Sequence, residues 1–209
     1  MMQITRLFLK DQRASTAAEF AMVLPLALMF LLGMIDVGRF MWTVNKEEKA
    51  TQMGTRFAVV TAPVPTGLAG FSFVGTSSLV AGDTVPSSAY GTMTCGTTTA
   101  AGAATCTCAS GSTCPWGATA TAASFTAIYD RMKLFLPEVG RQHVKVEYAP
   151  SGLGYAGDPT GPDIYPVVTI RLQGMAFKPI TTQLFNLSMP MPDASFSLTM
   201  EDSVGTDSN

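Results

Sequence analysis

An apolar stretch near the N-terminus, from Ala14 to Trp42, constrains the fold of this chain more than any other feature. Its centre, Phe20 to Ile35, contains only apolar residues, one proline and one glycine. As a helix this centre covers ~24 Å, and continuation to Trp42 closes the gap to a hydrocarbon layer of about 30 Å. The remaining chain is too polar and loop-rich to surround such a helix. The sequence therefore predicts that residues 14–42 form a transmembrane helix.

The two flanks of this stretch differ in charge. The N-terminal flank holds three cations against one acid: Arg6, Lys10, Arg13 and Asp11. The C-terminal flank balances two cations with two acids: Lys46, Lys49, Glu47 and Glu48. The positive-inside rule places residues 1–13, a basic leader, in the cytoplasm and everything after about residue 43 outside. No small-x-small site follows the apolar run, so we expect the span to stay in the mature protein rather than to be removed as a secretory signal.

Charged residues lie at both ends of the apolar stretch. Glu19 stands at the cytoplasmic entrance, where a carboxylate is costly unless it is paired or kept at the interface. It is either an interfacial acid that favours the helix N-terminus or a group that pairs with a cation of a neighbouring subunit. Asp36 and Arg39 are three residues apart on one helical face and are expected to neutralise each other partly near the far interface.

An ordered set of positions in this region resembles a known family. The positions are Ala17-Ala18-Glu19-Phe20-Ala21, Val23-Leu24-Pro25-Leu26, Gly33, Asp36-Val37-Gly38-Arg39, Ala50, Met53-Gly54, Arg56 and Ala58. They resemble the N-terminal region of TadE/TadG-like proteins, which are minor pseudopilin-type components of the Tad (tight adherence, Flp) pilus. The resemblance covers about Ala14 to Ala58, and more loosely the strand pattern near the C-terminus. It implies a pilin-like structural protein, not an enzyme, with Glu19 as a subunit-pairing carboxylate.

The resemblance also bears on processing. Family members that are cut by the prepilin peptidase typically carry Gly just before the cut and Glu as the fifth mature residue. Counting back from Glu19 makes Ser15 the first mature residue and places Ala14, not Gly, before the cut. The sequence therefore leaves both the cleaved and the uncleaved form open.

Past the membrane, four further segments are expected. Residues 43–62 continue the helix. One side is a largely apolar stripe formed by Trp42, Ala50, Met53, Phe57 and Val60, with Lys46 as its polar member, and the opposite side carries Glu47, Glu48, Thr51, Gln52 and Thr55. Residues 63–124 form a loop-rich Gly/Thr/Ala/Cys segment that builds little core unaided. Residues 125–201 form the compact α+β part, and residues 202–209 a flexible tail.

All four cysteines lie in the loop-rich segment, at Cys95, Cys106, Cys108 and Cys114. Outside the cytoplasm, clustered cysteines in even number favour disulfides. Because Cys106 and Cys108 are too close to pair with each other, two connectivities remain: 95–106 with 108–114, or 95–108 with 106–114. A four-thiolate zinc site is the alternative, but the paired C-x₂₋₄-C arms typical of such sites are missing.

The compact part shows one helical and three strand patterns. Apolar residues recur at helical spacing at Phe125, Ile128, Tyr129, Met132, Phe135 and Leu136. Period-two alternation marks three strands, whose apolar members are Val144, Val146 and Tyr148; Val168, Ile170 and Leu172; and Phe196, Leu198 and Met200. The pattern predicts an α+β fold: a long transmembrane and stalk helix, then a small extracytoplasmic domain with a three- to four-stranded antiparallel sheet.

Composition narrows the function classes. A net charge of −2 and a pI near 5.3 supply no basic face for nucleic acid. His143 lies on the expected solvent face of a strand, and Asp158 and Asp163 favour turns over a calcium site. No motif indicates catalysis, a cofactor or a small-molecule substrate.

We therefore expect a single-pass inner-membrane protein that acts in pilus assembly, in initiation or at the tip, during surface adherence. Its expected partners are the membrane, other pilus subunits, the inner-membrane assembly platform and, in a processed form, the prepilin peptidase. The alternative is a membrane-anchored binding module or adhesin outside a fibre.

Overall fold

A computed structural model describes residues 12–182 and 187–201, with side chains from residue 16 onward. The basic leader up to residue 11 and the tail from residue 202 lie outside the described residues. The α-helices within the described residues are α1 (Gln12–Ala58) and α2 (Ala122–Lys133). The strands are β1 (Met93–Gly96), β2 (Thr105–Cys108), β3 (Val144–Ala149), β4 (Val167–Leu172), β5 (Ala176–Phe177), β6 (Met189–Pro190) and β7 (Ala194–Thr199).

The described residues divide into two compact units. One comprises those of Met1–Thr43 and Ala176–Met189, and the other those of Val44–Met175 and Pro190–Asn209. Helix α1 contributes its apolar N-terminal part to the first unit and its C-terminal turns to the second.

A five-stranded antiparallel sheet forms the centre of the second unit, in the order β2-β1-β3-β4-β7. Its register aligns apolar residues in rows across the strands. One row runs Cys95, Val146, Ile170 and Phe196, and another runs Met93, Tyr148, Val168 and Leu198. The period-two alternation therefore predicted the buried face of three strands correctly, and the α+β class with an antiparallel sheet is confirmed.

The sheet has five strands rather than the three to four expected, because β1 and β2 come from the tract that was interpreted as unable to build core. Cys95 and Cys106 face each other in the register of these two strands and form a disulfide. Cys108 and Cys114 form a second disulfide directly after β2. Met93 and Cys95 are fully buried. The cysteines thus supply both the cross-link and part of the apolar interior that Thr and Ala cannot provide.

The first of the two open connectivities is therefore the one present, and no cysteine is free. Paired in this way, the four sulfurs are not available as zinc ligands, so the prediction of disulfides over a zinc site is confirmed.

Removing the two disulfides separately should have unequal effects. Under the chain-entropy model each short loop contributes ~2–3 kcal/mol, but Cys95–Cys106 also fills the buried face of the sheet. We expect Cys95→Ser with Cys106→Ser to lower the free energy of unfolding more than Cys108→Ser with Cys114→Ser. Urea unfolding of the detergent-solubilised full chain measures both. Equal losses would argue against a role for the first disulfide in the core.

Two helices cover the apolar face of the sheet. From α2, Phe125, Ile128 and Met132 are fully buried. A Cβ on Gly54 of α1 would lie 2.6 Å from Met132 Cγ and 3.1 Å from Ile170 Cδ1. This glycine therefore allows α1 to pack closely against both α2 and the sheet.

The buried side of the C-terminal turns of α1 differs from the apolar stripe that was expected. Its fully or almost fully buried members are Glu47, Ala50, Thr51, Gly54, Thr55 and Ala58. Small residues allow close backbone approach, and the two threonines satisfy their hydroxyl groups locally. Thr51 donates to the Glu48 carbonyl, and Thr55 donates to the carbonyls of Thr51 and Phe196. Side-chain size and hydroxyl satisfaction, rather than apolar character alone, decide which side of this helix is buried.

Glu47 is the unusual member of this buried side. It is 1% exposed, and its Oε1 has no hydrogen-bond partner within the part of the chain that the structure describes. Burial, together with the negative charges of Glu138 and Asp193, raises the pKa of the Glu47 carboxyl to about 7. The neighbouring Lys46 is paired with Glu138, Nζ to Oε1 at 2.8 Å, which leaves Glu47 without that cation.

The raised pKa of Glu47 makes stability depend on pH. Its folded-state pKa of about 7 lies above the reference value of 4.5, so the folded protein keeps a proton that the unfolded chain loses between these values. Stability should therefore fall as pH rises through this window and level off above about pH 7. Glu47→Gln has no group that titrates at this position. The free energy of unfolding of the variant minus that of the parent should therefore increase by up to about 3 kcal/mol from about pH 4.5 to pH 8.

Urea unfolding at both pH values measures this difference. Glu48→Gln is the matched control, because it removes one negative charge from an exposed position on the same turn. A stability difference for Glu47→Gln that does not change with pH would contradict the assignment.

Candidate functional site

The surface of α1 between Phe20 and Ile35 is made of exposed, mostly large apolar side chains. Within the described residues α1 is the one helix long and apolar enough to cross a membrane, and only 6% of its most apolar window is buried. A core helix of a soluble domain would have this surface covered. The feature indicates a single-pass membrane anchor.

The residues selected from the sequence occupy distinct positions along this helix. Ala14 and Ser15 lie within α1, which begins at Gln12. Glu19 and Phe20 are exposed. The other selected positions are Pro25, which lies inside the helix, and Gly33, Gly38, Asp36 and Arg39. A Cβ at Gly33 or Gly38 would meet no atom within 4 Å, so neither glycine is required by packing within the described chain.

Asp36 binds a loop that lies far away in the sequence. We call this loop, residues 176–182 and 187–189, the docked loop. Asp36 Oδ1 accepts a hydrogen bond from the Ile180 amide at 2.7 Å. Its Oδ2 accepts bonds from the amide and the hydroxyl of Thr181 at 2.9 and 2.8 Å. One carboxylate therefore satisfies two backbone N–H groups and one side chain, which explains why an acid next to an apolar helix segment is only 7% exposed.

Arg39 and two aromatic rings extend the contact. Arg39 Nη1 lies 3.3 Å from Asp36 Oδ1, so the predicted pair is present. The Arg39 guanidinium also lies over the Phe177 ring, 5.4 Å from its centroid. Phe177 meets Phe40 edge to face, with centroids 5.5 Å apart. Two turns of α1 thus hold the docked loop through a carboxylate, a cation and a ring.

Sequence reasoning found the local pair but not its larger role. Asp36 and Ile180 are separated by 144 residues, and no periodicity connects them. The sequence does contain one indication of this contact. An acid beside an apolar segment needs several partners, and Arg39 supplies only one of them.

Replacing Asp36 should release the docked loop. Asn presents an amide that donates where the carboxylate accepts, so Asp36→Asn should lose at least part of the bonds to Ile180 and Thr181. Hydrogen exchange at these two amides should become at least about tenfold faster, since charge-assisted bonds contribute ~1.5–3 kcal/mol each.

Glu48→Gln is the control for this change. It removes one negative charge from an exposed position on the same helix but leaves both Asp36 oxygens to accept from the loop, so exchange at Ile180 and Thr181 should change little. Unaltered exchange in Asp36→Asn would contradict the role given to this carboxylate.

The remaining polar candidates have structural roles. Asp163 is buried and accepts hydrogen bonds from the amides of Phe73 and Asp158, at 2.6 and 3.1 Å. Asp158 accepts from the amide of Thr160 at 2.8 Å. His143 precedes β3 in a short 3₁₀ turn, a small shift from the strand position expected, and its Nδ1 lies 2.8 Å from the Gln173 carbonyl. These contacts support the turn interpretation of the two aspartates.

A long apolar N-terminal helix followed by an α+β domain with an antiparallel sheet defines a single-helix, membrane-anchored class of protein. Residues 14–56 match the family model described as TadE-like protein, which confirms the family resemblance over this segment. The matched segment lies within α1 and includes none of the sheet. No curated protein and no solved structure matches the chain.

Proposed function

We propose that the chain is a minor pseudopilin-like subunit of a Tad-type pilus, acting in assembly, initiation or at the tip. The observation that carries the proposal is the exposed apolar surface of α1 within the segment that matches the TadE-like model. Such a surface suits two successive environments, the lipid before assembly and the helices of other subunits afterwards. Neither environment requires the helix to carry catalytic groups.

The proposed orientation has the N-terminus in the cytoplasm and the sheet-bearing unit outside. Its support is the basic leader and the presence of two disulfides, which persist in oxidising compartments. Protease added to spheroplasts should digest the chain after about residue 60. A cytoplasmic protein provides the control for lysis. Complete protection of the domain in intact spheroplasts would contradict this orientation.

Glu19 is the residue we assign to subunit pairing. It lies near the start of α1, on the N-terminal side of the apolar centre, and its side chain is exposed on the helix surface. In an assembled fibre its carboxylate would meet a cation of an adjacent subunit, such as the α-amino group of Ser15 in a processed chain. Partial removal from water strengthens such a pair.

Substitution at Glu19 tests this role. Glu19→Gln keeps the size and removes the charge, so membrane insertion and abundance should be unchanged while incorporation into the pilus falls. Loss of a pair contributing about 1.4 kcal/mol lowers incorporation roughly tenfold. Glu19→Asp keeps the charge but shortens the reach and should fall between Gln and the parent.

The measurement pairs the level in the membrane fraction with co-purification with pilus subunits. Glu48→Gln, which removes an exposed charge on the same helix, controls for net charge. Normal incorporation of Glu19→Gln would contradict subunit pairing and indicate that Glu19 is an interfacial acid. It would also favour the alternative function, a membrane-anchored adhesin outside a fibre.

A further inference from the structure

The docked loop presents an apolar surface that its contacts with α1 leave uncovered. Ile180 is 40% exposed, Met189 48% and Leu187 58%. Phe177 and Pro179 are buried. The loop therefore points some of its large apolar side chains at α1 and the rest away from it.

The exposed side of the loop continues the apolar surface of α1. A groove of about 340 Å³ lies between them, lined by Gly33, Val37, Phe40 and Met41 from the helix and by Pro179 and Met189, among others, from the loop. On the helix, Ile35, Val37, Met41 and Trp42 are exposed at the same level. Exposed apolar side chains therefore lie both on the membrane helix and on the loop, and the groove lies between these two elements.

The position of the contact along α1 gives its depth in a bilayer. Asp36 follows Phe20 by sixteen residues, which is ~24 Å of helix rise, so Asp36 lies near the far end of a ~30 Å hydrocarbon layer. Trp42 marks the same interface, where indole rings concentrate. A loop held at residues 33–41 is therefore held at the boundary between acyl chains and headgroups.

The polar groups of the loop suit this boundary. Asp36 accepts hydrogen bonds from the backbone amides of Ile180 and Thr181, which would otherwise need water as a partner. The Leu187 amide donates to the Thr182 carbonyl at 3.4 Å, and the Thr182 hydroxyl donates to the Leu187 carbonyl at 3.3 Å. Lys178 is exposed, and a lysine at this level can reach lipid phosphates while its stem stays among apolar atoms.

We propose that the docked loop is a second membrane-contacting element, seated on the phospholipids of the leaflet at the C-terminal end of the span. The occupant of the groove and of the exposed Ile180, Leu187 and Met189 surface is lipid. The Asp36 contact fixes the loop at interfacial depth, so the chain meets the bilayer through a helix and a loop. This inference rests on the membrane anchoring proposed above and adds a contact that a plain anchor does not require.

A single added cysteine tests the proposal in the full chain. Because all four native cysteines are in disulfides, Leu187→Cys provides the one free thiol for an environment-sensitive fluorophore. The purified protein is reconstituted into phosphatidylcholine and phosphatidylglycerol vesicles that contain spin-labelled lipid. We expect loss of fluorescence, greater with the spin label near the glycerol end of the acyl chain than near its methyl end.

Two further labelled positions separate the inference from the anchoring. Phe30→Cys lies on the exposed surface of the apolar helix and should be quenched deep in the bilayer. Leu153→Cys is the matched control, since Leu153 is 54% exposed but belongs to the sheet-bearing unit. Quenching at 187 and at 30 but not at 153 supports the inference. Quenching at 30 alone overturns it and leaves the anchor intact, whereas no quenching at 30 refutes the anchoring itself.

Asp36→Asn, added to Leu187→Cys, tests the part given to the carboxylate. Release of the loop should reduce quenching at 187 and leave quenching at 30 unchanged. Equal quenching in both backgrounds overturns the claim that Asp36 sets the depth. If the sample is dimeric and the label at 187 is shielded from lipid, the surface belongs to an interface with a second copy of the chain, and the proposal is overturned. Equal quenching at 153 and 187 also overturns the proposal.

Discussion

The backbone of α1 satisfies its own hydrogen bonds, and the rest of the structure depends on this property. In hydrocarbon no water is available to pair N–H and C=O groups, so a spanning segment has to be helical. The same helix then enters an aqueous domain, where its neighbours become other side chains. The sequence changes accordingly, from the exposed Leu, Met and Phe between Phe20 and Ile35 to the buried Ala50, Gly54 and Ala58. One continuous element is thereby matched to two kinds of surroundings through side-chain size.

Two buried acids on α1, Asp36 and Glu47, differ in their surroundings. Three hydrogen-bond donors and the Arg39 guanidinium converge on the buried Asp36 carboxylate. Glu47 is buried eleven residues later, and its Oε1 has no hydrogen-bond partner among the described residues. Burial and the negative charges of Glu138 and Asp193 raise the pKa of its carboxyl to about 7. The two carboxylates on this helix thus differ in their surroundings: donors and a cation converge on Asp36, whereas Glu47 is buried near the negative charges of Glu138 and Asp193.

Apolar length was enough to predict the membrane helix, whose surface is exposed. Local periodicity was enough to predict α2 and the strands β3, β4 and β7, because each of them buries one face against a common core. It did not predict β1 and β2, whose buried positions are partly cysteines in a tract of Thr and Ala. It also placed Glu47, Thr51 and Thr55 on the wrong side of α1, since hydropathy does not register that a threonine can return its hydroxyl to the helix backbone. The contact of Asp36 with Ile180 and Thr181 depends on tertiary structure, which single-sequence patterns do not contain.

The Cys95–Cys106 bond has a consequence for the order of events during biogenesis. Thiols pair in oxidising compartments and stay reduced in the cytosol. The strands that end the sheet on one side can therefore be locked together only in a copy whose domain has reached such a compartment. A copy retained on the reducing side would keep four thiols and lack the cross-link at its sheet edge. The redox state of these four cysteines would therefore distinguish a copy whose domain lies in an oxidising compartment from a copy whose domain does not.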